Sequence, residues 1–395
     1  MSGPPDQVGV IAAGGVESAT KDRFIETWRG LSIFLVLAFH YTNRVDPAAL
    51  GSAVPPSIQF YSGKLGVYIF FVISGYLISM TLGASRSLGE FYAKRLSRLW
   101  PLFILASLVI FSFMQVFEPP RVMPGEGART FNTQVVTVSD LIATLFFLPQ
   151  LGFRWVDGVF WSILVEIKFY LFIGIFTALF GRNNVRNFAI ATVVLGGIEF
   201  ALYLFAGAGD YVFANKLLHG FLIAQYLPFF AIGMLLQRNM FGGLFNACLL
   251  LVLIQCVIAV AANPELDVYR TLVFLFCLTG LLAIDYALLG GAIFFWWGKY
   301  SFSIYLFHQM IGLTFIAMWT PALGIDLAIV AGTLVVLVIA VLGSWLAEWR
   351  FRRPVTRWLI RLFALVGLDR VRLDGQPGPT PAPAPAPRVL APERG

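Results

Sequence analysis

Charged residues are scarce in this chain. They make up 12% of its 395 residues, whereas apolar residues make up 58%, and the mean hydropathy is +0.80. A soluble domain carries about a quarter charged residues, so the composition excludes that class. The net charge of +7 does not indicate a nucleic-acid partner, because the basic residues lie in short loops between apolar runs. The sequence therefore predicts an integral membrane protein, surrounded by the lipid bilayer.

Cysteine and histidine are also rare, with three residues of each. Cys248, Cys256 and Cys277 all lie inside apolar runs, which predicts small buried side chains and neither disulfides nor a metal site. The first ~20 residues hold no basic segment followed by a short apolar run, so we expect no cleavable signal peptide. One histidine, His40, lies within an apolar segment, where an ionisable side chain points to function.

Ten apolar runs are long enough to cross a bilayer, since a hydrocarbon core of ~30 Å takes ~20 helical residues. We therefore predict an all-α polytopic membrane protein with ten transmembrane helices. Segment 141–151 is too short to cross and is predicted to be re-entrant or interfacial. The basic loops all fall on one side if both termini are cytoplasmic. The predicted spans are 27–45, 65–82, 98–117, 159–180, 187–206, 217–237, 244–262, 270–288, 299–319 and 325–347.

The transmembrane domain is predicted to cover residues 25–355. The preceding segment, 1–24, is expected to be disordered. Residues 356–373 form a basic, amphipathic segment that we expect in the cytoplasm. The Pro/Ala-rich tail, 374–395, cannot bury a core and is expected to be disordered and extended. We expect no second, soluble domain.

Polar residues follow one face of the first predicted span. Arg29 and His40 are eleven residues apart, a rotation only about 20° from three full helical turns, so both lie on one face about 16 Å apart along the axis. Asn43 and Arg44 fall on or near the same stripe. A histidine that is merely satisfied by a backbone carbonyl is the alternative interpretation. The polar companions favour a functional histidine.

A second polar face occurs in "FWSILVEIKFYLF", where Ser162, Glu166 and Tyr170 are spaced by four residues and therefore stacked. Glu166 is expected at a depth similar to that of His40, where a carboxylate can fix the imidazole tautomer and raise its basicity. The alternative is a structural carboxylate paired with an arginine. Glu199 is a rival acid, but it lies near a helix end.

Two further groups complete the candidate site. Tyr305 and His308, in "YSFSIYLFHQM", share a face near mid-depth, and a packing role for this histidine is as plausible from sequence as a catalytic one. Lys94, Arg95 and Arg98 lie within about one helical turn in "FYAKRLSRLWP". They either set the topology by snorkelling to headgroups or form an anion clamp, since arginine forks bind phosphates in a bidentate manner.

These segments, in this order, resemble the acyltransferase-3 family of membrane acyltransferases, which includes bacterial O-antigen and exopolysaccharide O-acetylases. "RGLSIFLVLAFH" matches the Arg-x10-His signature of that family, and "KRLSR" its Arg-x-x-Arg. "FWSILVEIKFYL" is similar to its Trp-Ser-x-x-x-Glu-x-x-Phe-Tyr motif and "YSFSIYLFH" to its Ser-x-Tyr-Leu-x-His element. The chain departs from the family at Ile167 and Lys168, where relatives usually carry a second acid or a glutamine.

The resemblance implies a multi-pass protein of the bacterial inner membrane with no permanently bound cofactor. It implies acyl-CoA, with acetyl as the default acyl group, as the cytoplasmic co-substrate and a hydroxyl acceptor, often a glycan, on the other side. In this hypothesis His40 is the general base and Glu166 its orienting acid. The cations Arg29, Lys94, Arg95 and Arg98 would hold the phosphates of CoA. The acceptor side would comprise Asn43, Arg44, Ser162, Tyr170, Tyr305 and His308.

Several alternatives remain open at this point. Direct transfer to the acceptor and transfer through an acyl group on His40 fit the sequence equally well. Ten helices with ionisable residues at mid-depth also suit a secondary transporter or proton-coupled permease, although the two halves of the chain show no repeat. A catalytically inactive scaffold is a third class. The sequence leaves the oligomeric state, the acceptor and the length of the acyl chain open.

Overall fold

The structure is a computed structural model that describes residues 7–44, 46–61, 63–117, 136–181, 184–205, 216–261 and 268–373. Within these ranges every regular element is helical, and one isolated antiparallel bridge joins Ser87 to Arg372. The predicted all-α class is therefore confirmed for the described residues. Residues 1–6 and the tail 374–395, predicted to be disordered, lie outside them.

Fourteen α-helices are described, and short π-helical or 3₁₀ turns interrupt or join several of them. In chain order the α-helices are α1 (Gln7–Thr42), α2 (Gly63–Gly83), α3 (Leu88–Met114), α4 (Val138–Leu145), α5 (Trp161–Phe180), α6 (Asn184–Phe205), α7 (Leu227–Gln237), α8 (Gly243–Ala261), α9 (Val268–Leu289), α10 (Ala292–Lys299), α11 (Ser301–Phe307), α12 (Leu313–Leu323), α13 (Ile325–Ser344) and α14 (Arg352–Leu365).

Six stretches of helix in the described residues are long and apolar enough to cross a membrane. A seventh candidate is the pair α9–α10, whose segments meet at 102° across two glycines with positive φ, Gly290 and Gly291. The predicted spans at α7 and α8 are shorter apolar helices, and the one at α1 is not among the seven. The count of ten stays a prediction. The six candidate stretches are Gly63–Gly83, Leu88–Met114, Gly158–Phe180, Asn184–Leu202, Ser301–Leu323 and Ile325–Ala347.

The short segment predicted not to cross, 141–151, overlaps α4, a helix of eight residues, or about 12 Å. Thr137 and Asp140 form a capping box at its start, which satisfies N–H groups that a helix leaves free. Burial raises the pKa of the Asp140 carboxyl, but hydrogen bonds from the backbone of Arg154 and from Thr137 outweigh this effect and hold the pKa below its usual value. This short helix and the loop that follows it are thereby tied together.

The N-terminal helix is longer than predicted. α1 begins at Gln7, so most of the segment 1–24, predicted to be disordered, is helical. The chain has no proline between Pro5 and Pro47, and proline is the residue that most strongly stops a helix. Of the three cysteines, Cys248 is buried and free, as predicted, and the side chains of the other two lie outside the described part of the chain.

Glycines allow two pairs of helices to touch backbone to backbone. A Cβ atom added to Gly298 of α10 would lie 1.7 Å from the carbonyl oxygen of Glu26 on α1, and one added to Gly30 would lie 1.8 Å from that of Phe294. Gly233 of α7 approaches α2 in the same way. Close contacts at small residues are the usual means of packing helices in a bilayer, where lipid provides no hydrophobic drive between helices.

We expect Gly298→Ala to lower the melting temperature of the purified protein by several degrees. Its new methyl group would collide with rigid backbone, and overpacking costs about 1–3 kcal/mol. Gly197→Ala in α6 is the matched control, because a Cβ there meets nothing within 4 Å and alanine favours the helix. Equal melting temperatures for Gly298→Ala and the unchanged protein would show that α1 and α10 do not pack as described.

Candidate active site

One pocket gathers half of the twelve site residues predicted from the sequence. It lies between α1, α2, α3, α5 and α11 and encloses about 700 Å³ of empty space, including its opening. Apolar side chains of α2 and α3 form much of its wall, as is usual for ligand pockets. Its polar lining residues are Arg29, Ser74, Arg95, Arg98, Ser162, Glu166 and Tyr305.

The cationic part of the pocket is built by α1 and α3. Arg95 is 4% exposed, and its guanidinium carbon lies 5.9 Å from the centre of the Tyr170 ring. Within the described residues its Nε and Nη2 atoms have no hydrogen-bond partner. Arg98 lines the pocket one turn further along, and Arg29 approaches from α1, where it pairs with Glu26 at 2.8 Å. Because buried charged donors are costly without partners, Arg95 indicates a place for an anion.

Glu166 supplies the negative charge opposite these arginines. Tyr170, one turn away on α5, donates a hydrogen bond of 2.5 Å to Oε1 of the carboxylate, and Ser74 of α2 donates to the same oxygen at 3.2 Å. The carboxylate also interacts electrostatically with Arg29 and Arg95. The predicted stacking of Glu166 and Tyr170 on one helix face is therefore present, with the carboxylate directed into the pocket.

Ser162 and Tyr305 line the pocket where α5 meets α11. Their hydroxyl oxygens are 2.6 Å apart, and the tyrosine hydroxyl contacts the carbonyl of Val159 at 2.7 Å. This contact joins the start of α5 to α11. His308 begins the π-helical turn directly after α11, and its ring centre is 5.6 Å from that of Tyr305.

His40 does not line this pocket and lies against His308. The two imidazole rings are 4.8 Å apart between centres and nearly perpendicular. Nδ1 of His40 is 2.8 Å from the carbonyl oxygen of Val36, one turn earlier on α1. Since a carbonyl oxygen only accepts, Nδ1 carries the proton and Nε2 presents a lone pair. The neutral ring is therefore arranged as a base.

His308 has the same tautomer for the same reason. Its Nδ1 lies 2.7 Å from the carbonyl oxygen of Tyr305, while its own carbonyl accepts a hydrogen bond from the hydroxyl of Tyr41 at 2.8 Å. The residue is 0% exposed, and among the described residues Nε2 has no partner. When neutral, His308 therefore offers its buried Nε2 as a hydrogen-bond acceptor to a molecule near His40. Its Nδ1 proton is bonded to the Tyr305 carbonyl and is not available as a donor.

The predicted contact between Glu166 and His40 differs in the structure. Among the described residues Glu166 accepts hydrogen bonds from Ser74 and Tyr170 and none from His40. The carbonyl of Val36 orients the imidazole instead, because it lies one turn away on the same helix. His40 and Glu166 therefore do not form the predicted hydrogen-bonded pair, and each is held by its own partners.

Lys94 does not join the arginine cluster. It pairs with Glu90 at 2.8 Å and donates to the carbonyl of Ala84 at 2.8 Å, and it does not line the pocket. A residue next to Arg95 on a helix points about 100° away from it. Arg44 interacts electrostatically with His40. Asn43 directly follows α1, and its backbone N–H donates to the carbonyl of Phe39.

These motif residues belong to a known family. The acyltransferase domain model of the acyltransferase-3 family matches residues 22–349, which is most of the chain. The chain belongs to the acyltransferase-3 family. Together with the apolar helices, membership identifies it as a multi-pass integral membrane protein. The family resemblance inferred from the ordered motifs is thereby confirmed.

Two curated relatives of this family member carry related names. The O-acetyltransferase OatA of Staphylococcus aureus is 28% identical over 190 residues, which are 43% of this chain and 31% of the relative. The O-acetyl transferase of Shigella phage Sf6 is 28% identical over 165 residues, 40% of this chain and 46% of the relative. The alignments thus span less than half the length of either relative. No solved structure matches the chain.

Asp157 is a residue of this site that our sequence analysis missed. It is 1% exposed and accepts hydrogen bonds from the backbone of Val159, the side chain of Gln309 and the backbone of Met310. It therefore joins the start of α5 to the π-helical turn His308–Gly312. π-Helical turns are frequent at functional sites. The available signal was an aspartate directly before an apolar run, which is typical of a helix cap.

Proposed function

We propose that the protein is a membrane O-acyltransferase that transfers an acyl group, in the simplest case acetyl, from acyl-CoA to a hydroxyl of an acceptor. Membership of the acyltransferase-3 family supports the reaction class. The observation that carries the donor assignment is the buried Arg95 guanidinium, whose Nε and Nη2 lack partners among the described residues and which lines a pocket with Arg29 and Arg98.

The three arginines bind the phosphates of CoA in this proposal. Guanidinium groups form short, charge-assisted and often bidentate hydrogen bonds to phosphate oxygens. Glu166 lies opposite them, held by Tyr170 and Ser74, and offsets part of their mutual repulsion while the pocket is empty. The apolar wall of α2 then leads the pantetheine arm toward Tyr305 and the two histidines.

His40 acts as the general base. Its Nε2 lone pair takes the proton of the acceptor hydroxyl while the hydroxyl oxygen attacks the thioester carbonyl carbon. The tetrahedral intermediate then breaks its C–S bond, and the imidazolium returns the proton to the departing CoA thiolate. Base catalysis of this kind contributes typically 10²–10⁴-fold. The Val36 carbonyl, which holds the opposite nitrogen, keeps Nε2 available for the reaction.

His308 positions the acceptor. A buried nitrogen that can only accept suits a hydroxyl of the acceptor, which needs a partner for its own proton when it leaves water. Arg44 and Asn43, at the end of α1, extend the same side of the site and would contact further hydroxyl groups. A polyhydroxylated acceptor, such as a sugar of a cell-surface glycan, matches this set of donors and acceptors.

The proposed arrangement in the membrane follows the positive-inside rule. Both termini lie in the cytoplasm of a bacterium, the protein resides in the inner membrane, and acyl-CoA enters from the cytoplasm. The acceptor reaches His40 from the opposite side. Ten crossings keep all basic loops on one side, and reactivity of single cysteines introduced into successive loops would test this topology.

The defining experiment supplies purified protein with acetyl-CoA labelled in the acetyl group and measures the release of CoA and labelled ester. We expect transfer only in the presence of a hydroxyl acceptor. A transporter or permease would move its substrate in vesicles without consuming the thioester. Label retained on His40 without acceptor would select the route through an acyl-enzyme, whereas unlabelled protein under the same conditions favours direct transfer.

Asp157→Asn is expected to lower kcat for transfer about tenfold and leave the KM for acyl-CoA unchanged. The amide cannot accept from both Gln309 and Met310, so the turn carrying His308 shifts, and small displacements of a reacting group are costly. Asp285→Asn is the matched control, because Asp285 is also 1% exposed and accepts from the backbone of Ile293 and Phe294. An equal fall of kcat in both variants would reduce Asp157 to a general stabilising role.

A further inference from the structure

The last helix, α14, lies outside the family domain, which ends at residue 349, and carries an unusual concentration of charge. Between residues 350 and 365 the chain holds five arginines and no acidic residue: Arg350, Arg352, Arg353, Arg357 and Arg361. All five are exposed. No ion pair of theirs occurs among the described side chains. Like charges four residues apart on a helix repel one another. Binding of an external anion would relieve the repulsion among these arginines.

The rotation of α14 is defined by its packing on α3. Leu359 is buried, and the Phe363 ring lies 6.1 Å from that of Tyr92. The chain then returns along the start of α3, where the backbone N–H groups of Leu88 and Gly89 donate to the carbonyls of Val371 and Leu368. One face of the helix is therefore fixed against the protein, and the other faces point outward.

Two outward stripes lie side by side on α14. Arg353, Arg357 and Arg361 follow one another at intervals of four residues and form a cationic stripe. Beside it runs an apolar stripe, in which Trp358 is 55% exposed and Leu365 is 85% exposed. A helix with a basic face next to an exposed apolar face is typical of segments that lie in a membrane interface.

We propose that α14 is an interfacial helix that binds anionic phospholipid. The cationic stripe contacts the headgroup phosphates, and the apolar stripe enters the adjoining acyl-chain region. Charge complementarity favours this partner, as does the continuity of α14 with α13, from which only the π-helical turn Trp345–Phe351 separates it. A helix this close to the end of a spanning helix meets lipid headgroups first. The proposal does not depend on the reaction proposed above.

The test compares the full-length protein in a neutral detergent with added phosphatidylglycerol or phosphatidylcholine. We expect phosphatidylglycerol to raise the melting temperature by roughly 5 °C, since a ligand that binds the folded state stabilises it, and phosphatidylcholine to have no such effect. The shift should shrink at high salt. Arg353→Gln/Arg357→Gln/Arg361→Gln should abolish it, whereas the same three changes to lysine should retain most of it.

Arg186→Gln is the control for a general change of charge, because Arg186 is exposed at the start of α6, and it should keep the full shift. An undiminished shift in the triple glutamine variant overturns the proposal. So does a shift lost equally in the triple lysine variant, which would indicate a damaged helix and no attraction between charges. A raised KM for acyl-CoA with an unchanged lipid shift would assign the stripe to the donor and contradict lipid binding.

Discussion

Replacing His40 by alanine is expected to reduce acyl transfer by 10²–10⁴-fold, the usual contribution of a general base. The loss should fall on kcat, because His40 does not line the pocket that we assign to the donor, and the KM for acyl-CoA should change little. His40→Gln should be equally impaired, since an amide fills similar space without a basic nitrogen. Purified protein, assayed for transfer at saturating acetyl-CoA, provides the measurement.

Ser32→Ala is the matched control for this variant. Ser32 lies on the same helix and donates to the carbonyl of Trp28 at 2.7 Å, a bond of the same local type as that between His40 and Val36. Both variants lose one such bond, so both should unfold at similar temperatures. Only the histidine variants should lose activity. Retained turnover in His40→Ala would remove the imidazole from the mechanism and leave His308 as the remaining base of the pair.

The second large effect is expected at the arginine pair of α3. Arg95→Gln and Arg98→Gln should each raise the KM for acyl-CoA about tenfold or more, because a hydrogen bond to a charged group is worth about 1.5–3 kcal/mol and 1.4 kcal/mol corresponds to a factor of ten. Initial rates at varied acetyl-CoA, with the acceptor saturating, measure the effect. The maximal rate should change less than KM, since the phosphates are remote from the reacting carbonyl.

Lys94→Gln distinguishes an anion clamp from a topology signal. Lys94 is the neighbouring cation of Arg95 but bonds to Glu90 and Ala84, so its removal should leave the KM unchanged. A topology signal would depend on all three cations together. An increase in KM for Lys94→Gln equal to that for Arg95→Gln, or no increase in either, would contradict the anion clamp. The cluster would then serve to orient the chain in the membrane.

The melting temperature of Arg95→Gln provides an independent test of the role of Arg95 in binding CoA. The side chain is buried, and two of its nitrogens lack partners in the described part of the chain, which destabilises the empty protein. Arg95→Gln should therefore melt at the same or a higher temperature in the absence of CoA. Addition of CoA should stabilise the unchanged protein and not the variant. A residue that binds substrate at the expense of stability behaves in this way.

Much of the architecture follows from the sequence. Runs of about twenty apolar residues can satisfy their backbone groups within lipid only as helices, so the all-α class and the six candidate spans among the described residues were predictable. Spacing along a helix also determines which side chains share a face. For this reason Ser162 and Glu166 of α5 and Arg95 and Arg98 of α3 were correctly grouped, and the structure brings these two pairs into one pocket.

Spacing could not determine which groups on different helices touch. The partner of Glu166 was expected to be His40, but the relative rotation of α1, α2 and α5 brings Ser74 to it. Asp157 was overlooked because its partners, Gln309 and Met310, lie about 150 residues away in sequence, at a π-helical turn. A single extra residue in a helical turn depends on tertiary packing and has no periodic signature.

The properties that the sequence determines can therefore be distinguished from those that only the tertiary structure determines. The sequence alone determined that it resides in a membrane, that its helices carry polar stripes, and which family it belongs to, since each depends on residue type and local spacing. Only the tertiary structure decided that the arginines and Glu166 share a pocket, that His40 meets His308, and that Lys94 is excluded. Those outcomes depend on the rotation and depth of each helix, which are set by the side chains and glycines of its neighbours.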